Sequence, residues 1–482
     1  MKLGKLLEKV NIAGLHADKN AEISAVCYDS RAVTQGSLFV ALSNFGANGE
    51  DRHAYIGAAA ENGAACVICE RKPETDVPYV LVGDSQTAFA VVSANFYENA
   101  HEKLKIVGVT GTNGKTTVTH LIKQMLEKLT EKPVGLIGTT ANMVGEAEYP
   151  TGNTTPEASE LHGLFARMVD AGCEYAVMEV SSHALTLGRV HGITFEVGVF
   201  TNLTRDHLDF HKTFEEYAAA KAKIAAQSRL LAVNADDDYT EVITRDATVP
   251  VFAYSTAKDA ADLVAKQIKL HASRVEFCAL MTGVLARTEL AIPGMFSVYN
   301  GLAAMLAVRL LGFSLGGAAD ALATCHGVKG RAEVVPTGRD FTVIIDYAHT
   351  PDALENIITT IRGCAEGRVV TLFGCGGDRD TTKRPIMGEV AARLSDLVIV
   401  TSDNPRTEVP SAIIADILTG MTGTKTPVEV IENRREAIAF AIENAQPNDT
   451  IILAGKGHET YQIIGTEKTH FDEREVVAEA LR

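Results

Sequence analysis

The stretch Gly111-Thr112-Asn113-Gly114-Lys115-Thr116-Thr117 decides how this chain is read. It follows the apolar run Ile106-Val107-Gly108-Val109. It precedes a segment in which Val118, Leu121, Ile122, Met125, Leu126 and Leu129 fall on one helical face. Strand, glycine loop and helix in that order form the setting of a phosphate-binding loop. The glycines let backbone N–H groups close around phosphate oxygens, and the helix N-terminus favours negative charge there. Lys115 can reach the terminal phosphates and Thr116 can ligate Mg²⁺. The spacing departs from the common G-x4-G-K-[ST] loop, since Gly108 lies one residue too far upstream.

Outward from this loop, the chain of 482 residues has room for about three domains at ~150 residues each. Its hydrophobic content of 46% suits a folded protein with sizeable cores. A net charge of -16 without a long basic block argues against a nucleic-acid partner, while leaving room for a local anion pocket. No apolar stretch approaches the ~18 residues of a membrane span, and Met1 to His16 lacks a signal-peptide core. A cytoplasmic protein is expected, and a monomer. The eight cysteines are scattered; Cys66-Val67-Ile68-Cys69 reads as part of a buried strand, and a lone C-x-x-C is a poor zinc site.

The pattern predicts an α/β chain of three parts. Residues 1–102 form a small α/β unit: strands over Ser37–Leu42, Ala65–Glu70 and Tyr79–Val82, helices over Ile56–Gly63 and Gln86–Glu98. Residues 103–330 form a central unit on a mostly parallel sheet with helices, including strands Tyr175–Val180 and Val197–Thr201. There Ser297-Val298-Tyr299-Asn300 is expected to open a helix over Gly301–Leu311. Residues 331–482 form a Rossmann-like unit with strands Val343–Asp346, Val369–Phe373, Leu397–Thr401 and Ile451–Ala454, and a helix over Arg434–Asn444.

Polar motifs sit at the strand ends. Glu179-Val180-Ser181-Ser182-His183 ends one strand, and Glu179 beside a phosphate loop suits Mg²⁺ directly or through water. Thr201 to His211 follows the next, with His207 a candidate second group near the metal. In the last unit four strand ends carry Asp346–Pro351, Gly374–Asp380, Thr401–Arg406 and Ala454–Glu459. In an open α/β sheet such ends converge on one edge. Arg379 and Arg406 suit forked recognition of a carboxylate, and Asp403 and Glu459 suit an ammonium group, which together imply an amino-acid-like zwitterion.

In their order, Gly111–Thr117, Glu179–His183, Thr201–His211, Asn300, Gly330-Arg331, Asp346–Pro351 and Gly374–Arg384 resemble the Mur ligases, ATP-dependent amino-acid-adding enzymes of peptidoglycan synthesis. The resemblance covers essentially the whole chain. It implies three domains, binding respectively a UDP-sugar peptide, ATP and the incoming amino acid. Asp403-Asn404-Pro405-Arg406 is similar to the signature of the branch that adds meso-diaminopimelate to UDP-N-acetylmuramoyl-L-alanyl-D-glutamate. The alternatives are addition of L-lysine by the same reaction, or a folylpolyglutamate-synthetase-like ligase.

By the same resemblance, Gly111, Thr112, Asn113, Gly114, Lys115, Thr116, Thr117, Asn300 and Arg331 contact ATP. Tyr28, Ser30, Asn153, Thr154, Thr155, Ser181 and Arg189 match UDP-substrate positions. Arg379, Asp403, Asn404, Pro405, Arg406, Gly455 and Glu459 match amino-acid positions. Lys221, which local spacing does not single out, falls where the family carries a carbamylated lysine. Thr116, Glu179, His207 and that carbamate would hold Mg²⁺, and Lys115, Lys221, Glu179 and His207 form the expected catalytic set. Two departures from relatives, Leu187 and the loop Asn44–Asn48, bear on the UDP contacts.

Overall fold

The computed structural model describes the chain from Met1 to Arg482 apart from Ala47, Asn48 and Arg205. Two compact units emerge: residues 1–264 with 302–321, and residues 265–301 with 322–482.

The first unit opens with a five-stranded sheet. Its strands are β1 (Ile12–His16), β2 (Ala25–Cys27), β3 (Ser37–Val40), β4 (Cys66–Cys69) and β5 (Tyr79–Val82), in the order β1-β5-β4-β3-β2. All pairs are parallel except β1 with β5. Parallel sheets bury both faces, and the side chains divide accordingly. Leu38, Val40, Cys66 and Ile68 join the core holding Leu3, Leu6 and Phe89. Phe39, Val67 and Cys69 turn to the other face, against Val33, Ile56 and Ala59. Helix Ser85–Phe96 is capped by Asp84, whose carboxylate accepts from the Gln86 and Thr87 amides.

The larger sheet of this unit comprises β6 (Lys105–Thr110), β7 (Gly135–Ile137), β8 (Asn142–Val144), β9 (Ala147–Tyr149), β10 (Tyr175–Glu179), β11 (Phe195–Phe200), β12 (Ser228–Asn234) and β13 (Val251–Ser255), ordered β13-β12-β11-β6-β10-β7-β8-β9. From β13 to β7 the pairs are parallel; β7, β8 and β9 run antiparallel. Strand β6 lies centrally, with Val109 opposite Glu179 of β10 and Thr110 opposite Phe200 of β11. The ends of three neighbouring strands therefore bring together the three motifs read from the sequence.

The chain continues through β14 (Leu263–Leu270) to an antiparallel hairpin of β15 (Val275–Met281) and β16 (Val284–Leu290) in the second unit. This hairpin departs from the alternating helix–strand pattern expected over 103–330. Met281 and Val284 close it around Gly283, which has φ +75°. The helix expected at Gly301 instead runs Met295–Leu310, so Ser297 to Asn300 lie inside it; the Ser297 hydroxyl donates to Pro293 O four residues back (2.7 Å).

The second unit is built on β17 (Glu333–Val335), β18 (Thr342–Asp346), β19 (Val369–Phe373), β20 (Leu397–Val400), β21 (Val428–Val430) and β22 (Thr450–Ala454), ordered β17-β18-β22-β19-β20-β21. Only β17 runs antiparallel to its neighbour. Val343, Ile345, Val370, Leu372, Ile451 and Leu453 share a core with Ala437, Ile438 and Val477. A two-stranded ribbon, β23 (Tyr461–Ile464) and β24 (Glu467–His470), follows β22. No helix among the described residues is long and apolar enough to cross a membrane.

Candidate active site

In the first unit the phosphate-type loop joins β6 to the helix Lys115–Thr130. Gly111 adopts φ +148°, and a Cβ there would lie 1.9 Å from Thr201 Oγ1, so only glycine fits. The loop is laced to the segment after β11. Asn202 O accepts from the Thr112 amide (2.8 Å), and Asn202 Oδ1 accepts from the Asn113 amide (2.9 Å). Thr201 Oγ1 donates to Asn113 O (2.7 Å). Lys115 Nζ folds over its own loop, donating to Gly111 O and Thr112 O (both 2.9 Å). Thr117 sits in the first helical turn.

Lys221 reaches the same place from helix Phe214–Ala226. It is 1% exposed, and its Nζ donates to Gly111 O at 2.7 Å. Tyr217, one turn earlier, lies with its ring 4.7 Å from that nitrogen and its hydroxyl 3.0 Å from Thr112 Oγ1. Burial, reinforced by the charge of Lys115, pushes the Lys221 ammonium well below its ordinary pKa. Among the described residues no carboxylate forms an ion pair with it, and although Asp206 pulls the other way, so dry a place favours the neutral, nucleophilic amine.

Glu179 is fully buried at the end of β10. Its Oε2 accepts from Thr116 Oγ1 (3.0 Å) and Thr139 Oγ1 (3.1 Å), its Oε1 from the Thr139 amide (2.8 Å). Among the described residues no lysine or arginine pairs with it. His207, at φ +51°, stands with its ring 5.1 Å from that of His183 and 6.1 Å from that of Tyr217. Arg205 lies outside the described residues.

The residues matched to the UDP-substrate fall into two places. Thr154, Thr155, Ser181 and Arg189 gather round Glu179. Thr154 Oγ1 is 3.0 Å from Thr139 Oγ1; Thr155 Oγ1 donates to Glu179 O (2.8 Å) and accepts from the Ser181 amide (3.1 Å). Arg189 donates to Thr155 O (3.0 Å) and pairs with Glu157 at 2.6 Å. Glu157 is buried too, a partner that sequence reasoning missed, and nothing local marks it out. Asn153 is exposed. Tyr28 and Ser30 belong to the small sheet; the Tyr28 hydroxyl donates to Glu160 Oε1 (3.2 Å), and its ring packs on Phe45 and Phe89. Leu187 is buried. In the loop Asn44–Asn48, Ala47 and Asn48 lie outside the described residues, while Asn44 O accepts from Gln86 Nε2 (2.6 Å).

In the second unit the sheet order makes β18, β22, β19 and β20 consecutive neighbours, so their four terminal loops share one edge. Asp346 ends β18; its carboxylate accepts from the Ala332 amide (2.7 Å) and the Ala348 amide (2.8 Å), tying down the segment that carries Arg331. The Arg331 guanidinium lies 5.3 Å from the Tyr347 ring centroid. Asn300 is buried in its helix. After β20, Asp403 and Asn404 are buried, and Asn404 Nδ2 donates to Glu459 Oε2 at 2.9 Å. Gly455, at φ +115°, brings its backbone so close that a Cβ would sit 2.8 Å from Asp403 Oδ2. Arg406 is held at φ +50° between Ile463 O, which accepts from its amide (3.1 Å), and Gly377 O, which accepts from Nη1 (2.9 Å). Pro405 is buried, and Arg379 is exposed, donating to Asp378 O (3.0 Å).

Three family descriptions match along the chain: "Mur ligase family, catalytic domain" over residues 22–125, "Mur ligase middle domain" over 109–308, and "Mur ligase, glutamate ligase domain" over 330–457. A relative from Caldanaerobacter subterraneus subsp. tengcongensis is 47% identical over 100% of this chain and 99% of its own. The chain belongs to the Mur ligase family. That relative is named UDP-N-acetylmuramoyl-L-alanyl-D-glutamate--2,6-diaminopimelate ligase. A second Mur ligase of that name, numbered 1, from Clostridium acetobutylicum is 46% identical, covering 100% of this chain and 99% of its own. A solved Mur ligase structure, also titled as the 2,6-diaminopimelate ligase, superposes with a TM-score of 0.78 at 32% identity over 100% of this chain and 98% of that one.

Proposed function

We propose that this chain is the ATP-dependent ligase that adds meso-2,6-diaminopimelate to the D-glutamyl γ-carboxylate of UDP-N-acetylmuramoyl-L-alanyl-D-glutamate, in peptidoglycan precursor synthesis. The observation that carries the reading is the clasp between Asp403-Asn404-Pro405-Arg406 and Gly455–Glu459, closed by the bond from Asn404 Nδ2 to Glu459 Oε2. Two carboxylates and an arginine at one sheet edge suit a zwitterion. The arginine at 406 suits the carboxylate that distinguishes diaminopimelate from lysine. Full-length identity to relatives bearing that enzyme's name supports the same substrate.

The site residues divide by task. Residues 1–102 would hold the UDP end of the sugar peptide, with Tyr28 and Ser30. Residues 103–330 would hold ATP and the glutamyl carboxylate, and residues 331–482 the amino acid. Thr154, Thr155, Ser181 and Arg189 would orient the peptide arm beside Glu179. The protein would act as a cytoplasmic monomer on small-molecule substrates.

A carboxylate is a poor electrophile because oxide is a bad leaving group, and ATP overcomes this by turning it into an acyl phosphate. Lys115 would leave Gly111 O and Thr112 O to neutralise the phosphoryl group in transit, assisted by the loop amides and the helix N-terminus. The residues present fit a hard cation. Glu179 is a buried carboxylate braced by neutral donors, with Thr116 Oγ1 against it, and Lys221 is disposed to be a neutral amine able to take up CO₂. Thr116, Glu179, His207 and carbamylated Lys221 would hold Mg²⁺, which would supply charge neutralisation at the ATP phosphates. Asp403, Asn404 and Glu459 would hold one ammonium of diaminopimelate, so that its other amino group, as the neutral amine, attacks the acyl carbon, displaces phosphate and releases a proton to leave an amide.

The test is amide formation with ATP, Mg²⁺ and UDP-N-acetylmuramoyl-L-alanyl-D-glutamate, with meso-diaminopimelate and L-lysine compared in parallel by mass spectrometry. Strong preference for diaminopimelate is expected. Preference for lysine would overturn the assignment of Arg406 while keeping the ligase, and no product with either would overturn the substrate.

A further inference from the structure

Lys456 is fully buried directly beneath the amino-acid clasp, and none of the assignments above uses it. Its Nζ donates to Asn404 Oδ1 (3.0 Å) and to Tyr461 O (2.7 Å), and stands 3.5 Å from Glu459 Oε2. Asn404 Oδ1 also accepts from the Ile463 amide (3.0 Å). Two donors thus converge on the oxygen of the Asn404 side chain. Reversing that amide would set its NH₂ against an ammonium and an N–H, and its oxygen against the Glu459 carboxylate. The amide is therefore locked with Nδ2 toward Glu459, where it donates at 2.9 Å.

The lock is built into the core of the unit. Gln462 Nε2 donates to Asp403 O (2.7 Å), so the ribbon that contributes Tyr461 and Ile463 also fixes the residue before Asn404. Beneath the Gly455 loop, Arg434 donates to Ala454 O (2.8 Å) and pairs with Glu473 at 2.8 Å; both are fully buried. Glu459 thereby has one oxygen committed to Asn404 Nδ2, with a buried cation behind it. The Tyr461 hydroxyl also faces this carboxylate as a hydrogen-bond partner, and an incoming ammonium would join that set.

We propose that Lys456 is a positioning residue for amino-acid selection: acting through Asn404, it fixes the pose of Glu459, which receives the ammonium group of the incoming amino acid. The proposal rests on the amino-acid site described under Proposed function and names the group that organises it. An ammonium suits the task better than a neutral amide because it donates to Asn404 Oδ1 and Tyr461 O at once and has no acceptor to offer a reversed amide.

The experiment measures kcat and the KM of each substrate for the wild type, Lys456→Met, Lys456→Gln, Glu459→Gln and the double variant K456M/E459Q, with melting temperatures alongside. K456M is expected to raise KM for diaminopimelate at least ~10-fold. Its KM values for ATP and the UDP-peptide should stay within about twofold, and kcat at saturation within about threefold. K456Q, which keeps a donor but no charge, should fall between. The double variant should be little worse than E459Q alone, because the two residues act as one unit. Four results would overturn the role: an unchanged diaminopimelate KM in K456M, a parallel loss of kcat and all three KM values, multiplicative effects in the double variant, or failure of both Lys456 variants to fold. The last would make Lys456 a support of the loop and not of selection. If E459Q impairs diaminopimelate use and K456M does not, the site stands and this inference falls. If the wild type prefers another amino acid, the substrate assignment falls and the Lys456 effect is read in the KM for that amino acid.

Discussion

At the scale of single residues, Lys221 holds a conflict between stability and chemistry. An amine 1% exposed, with Lys115 nearby and, among the described residues, Gly111 O and the Tyr217 ring as close partners, is costly to charge despite the opposing pull of Asp206. Its pKa in the folded protein lies well below that of the unfolded chain. Between those two values the unfolded state binds the extra proton, so the folded state gains stability as pH rises through that window and gains nothing further above about pH 10.5. Lys221→Met is accordingly expected to melt at a higher temperature than wild type at neutral pH in CO₂-free buffer, the gap narrowing toward pH 10.5. The same variant should lose at least ~100-fold in turnover, with no rescue by bicarbonate. Wild-type protein stripped of CO₂ should recover activity when bicarbonate returns. Equal melting temperatures at neutral pH would contradict the buried neutral amine, and normal turnover would remove Lys221 from the catalytic set. The phosphate loop was readable because its glycines, lysine and threonines are contiguous and each has a chemical reason. Lys221 was not readable from spacing: its significance arises from burial against a carbonyl 110 residues away, and only the family resemblance marked it.

At the scale of elements, legibility follows how local the cause is. Strands β5 and β19 fall where apolar runs between turn residues put them, and most other ends move by one or two residues, as helix and strand ends do. The hairpin β15–β16 broke the expected alternation because only β16 carries a period-two pattern, with Ala286, Thr288 and Leu290 buried, while β15 buries Phe277, Cys278 and Ala279 in succession, and Gly283 is the one turn signal between them. Helix Ala158–Asp170 carries a feature invisible in sequence: His162, 1% exposed, with neither ring nitrogen bonded among the described residues. It packs edge-on against His101 of the turn Ala100–Lys103 (4.9 Å) and against Phe165 (5.8 Å). Burial, then the neighbouring His101, pulls its pKa down to about 3. His101 is lowered as well, by burial and Lys9, against the opposing pull of Glu102. His162 is neutral in the fold, and both histidines take up protons more readily when unfolded. Their contribution therefore falls as pH drops below about 6.5, by about 2 kcal/mol at pH 5 for His162 alone. His162→Phe should remove that slope. It should unfold at higher denaturant than wild type at pH 5 and match it more closely at pH 8. Parallel stability–pH curves for the two proteins would refute the account.

At the scale of the whole molecule, the sheets mark out more than one folding unit, and the C-terminal Rossmann-like sheet offers the sharpest test of the boundary at 330/331. Residues from 331 onward supply all six strands β17 to β22, their helices and a core running from Val343 to Val477. About 150 residues with both sheet faces covered should suffice for independent stability. The segment just before the boundary belongs with this unit: Gly330 O accepts from the Tyr347 amide (3.0 Å), and the Gly330 amide donates to Glu333 Oε2 (2.5 Å). Arg474 completes that corner by bonding to both Glu333 oxygens and to Gly457 O (3.2 Å), so it joins the chain entry to the Gly455–Glu459 loop. A fragment of residues 328–482 is therefore expected to unfold in a single cooperative transition by circular dichroism. A fragment beginning at residue 334 lacks Gly330 and Glu333, leaving Asp472 (3.0 Å) as the carboxylate still paired with Arg474, and should be destabilised by about 1–3 kcal/mol relative to the longer one. Non-cooperative melting of the longer fragment would show that residues 265–301, which cluster with this unit, are needed for its core. Equal stability of the two fragments would instead place the functional boundary after Glu333.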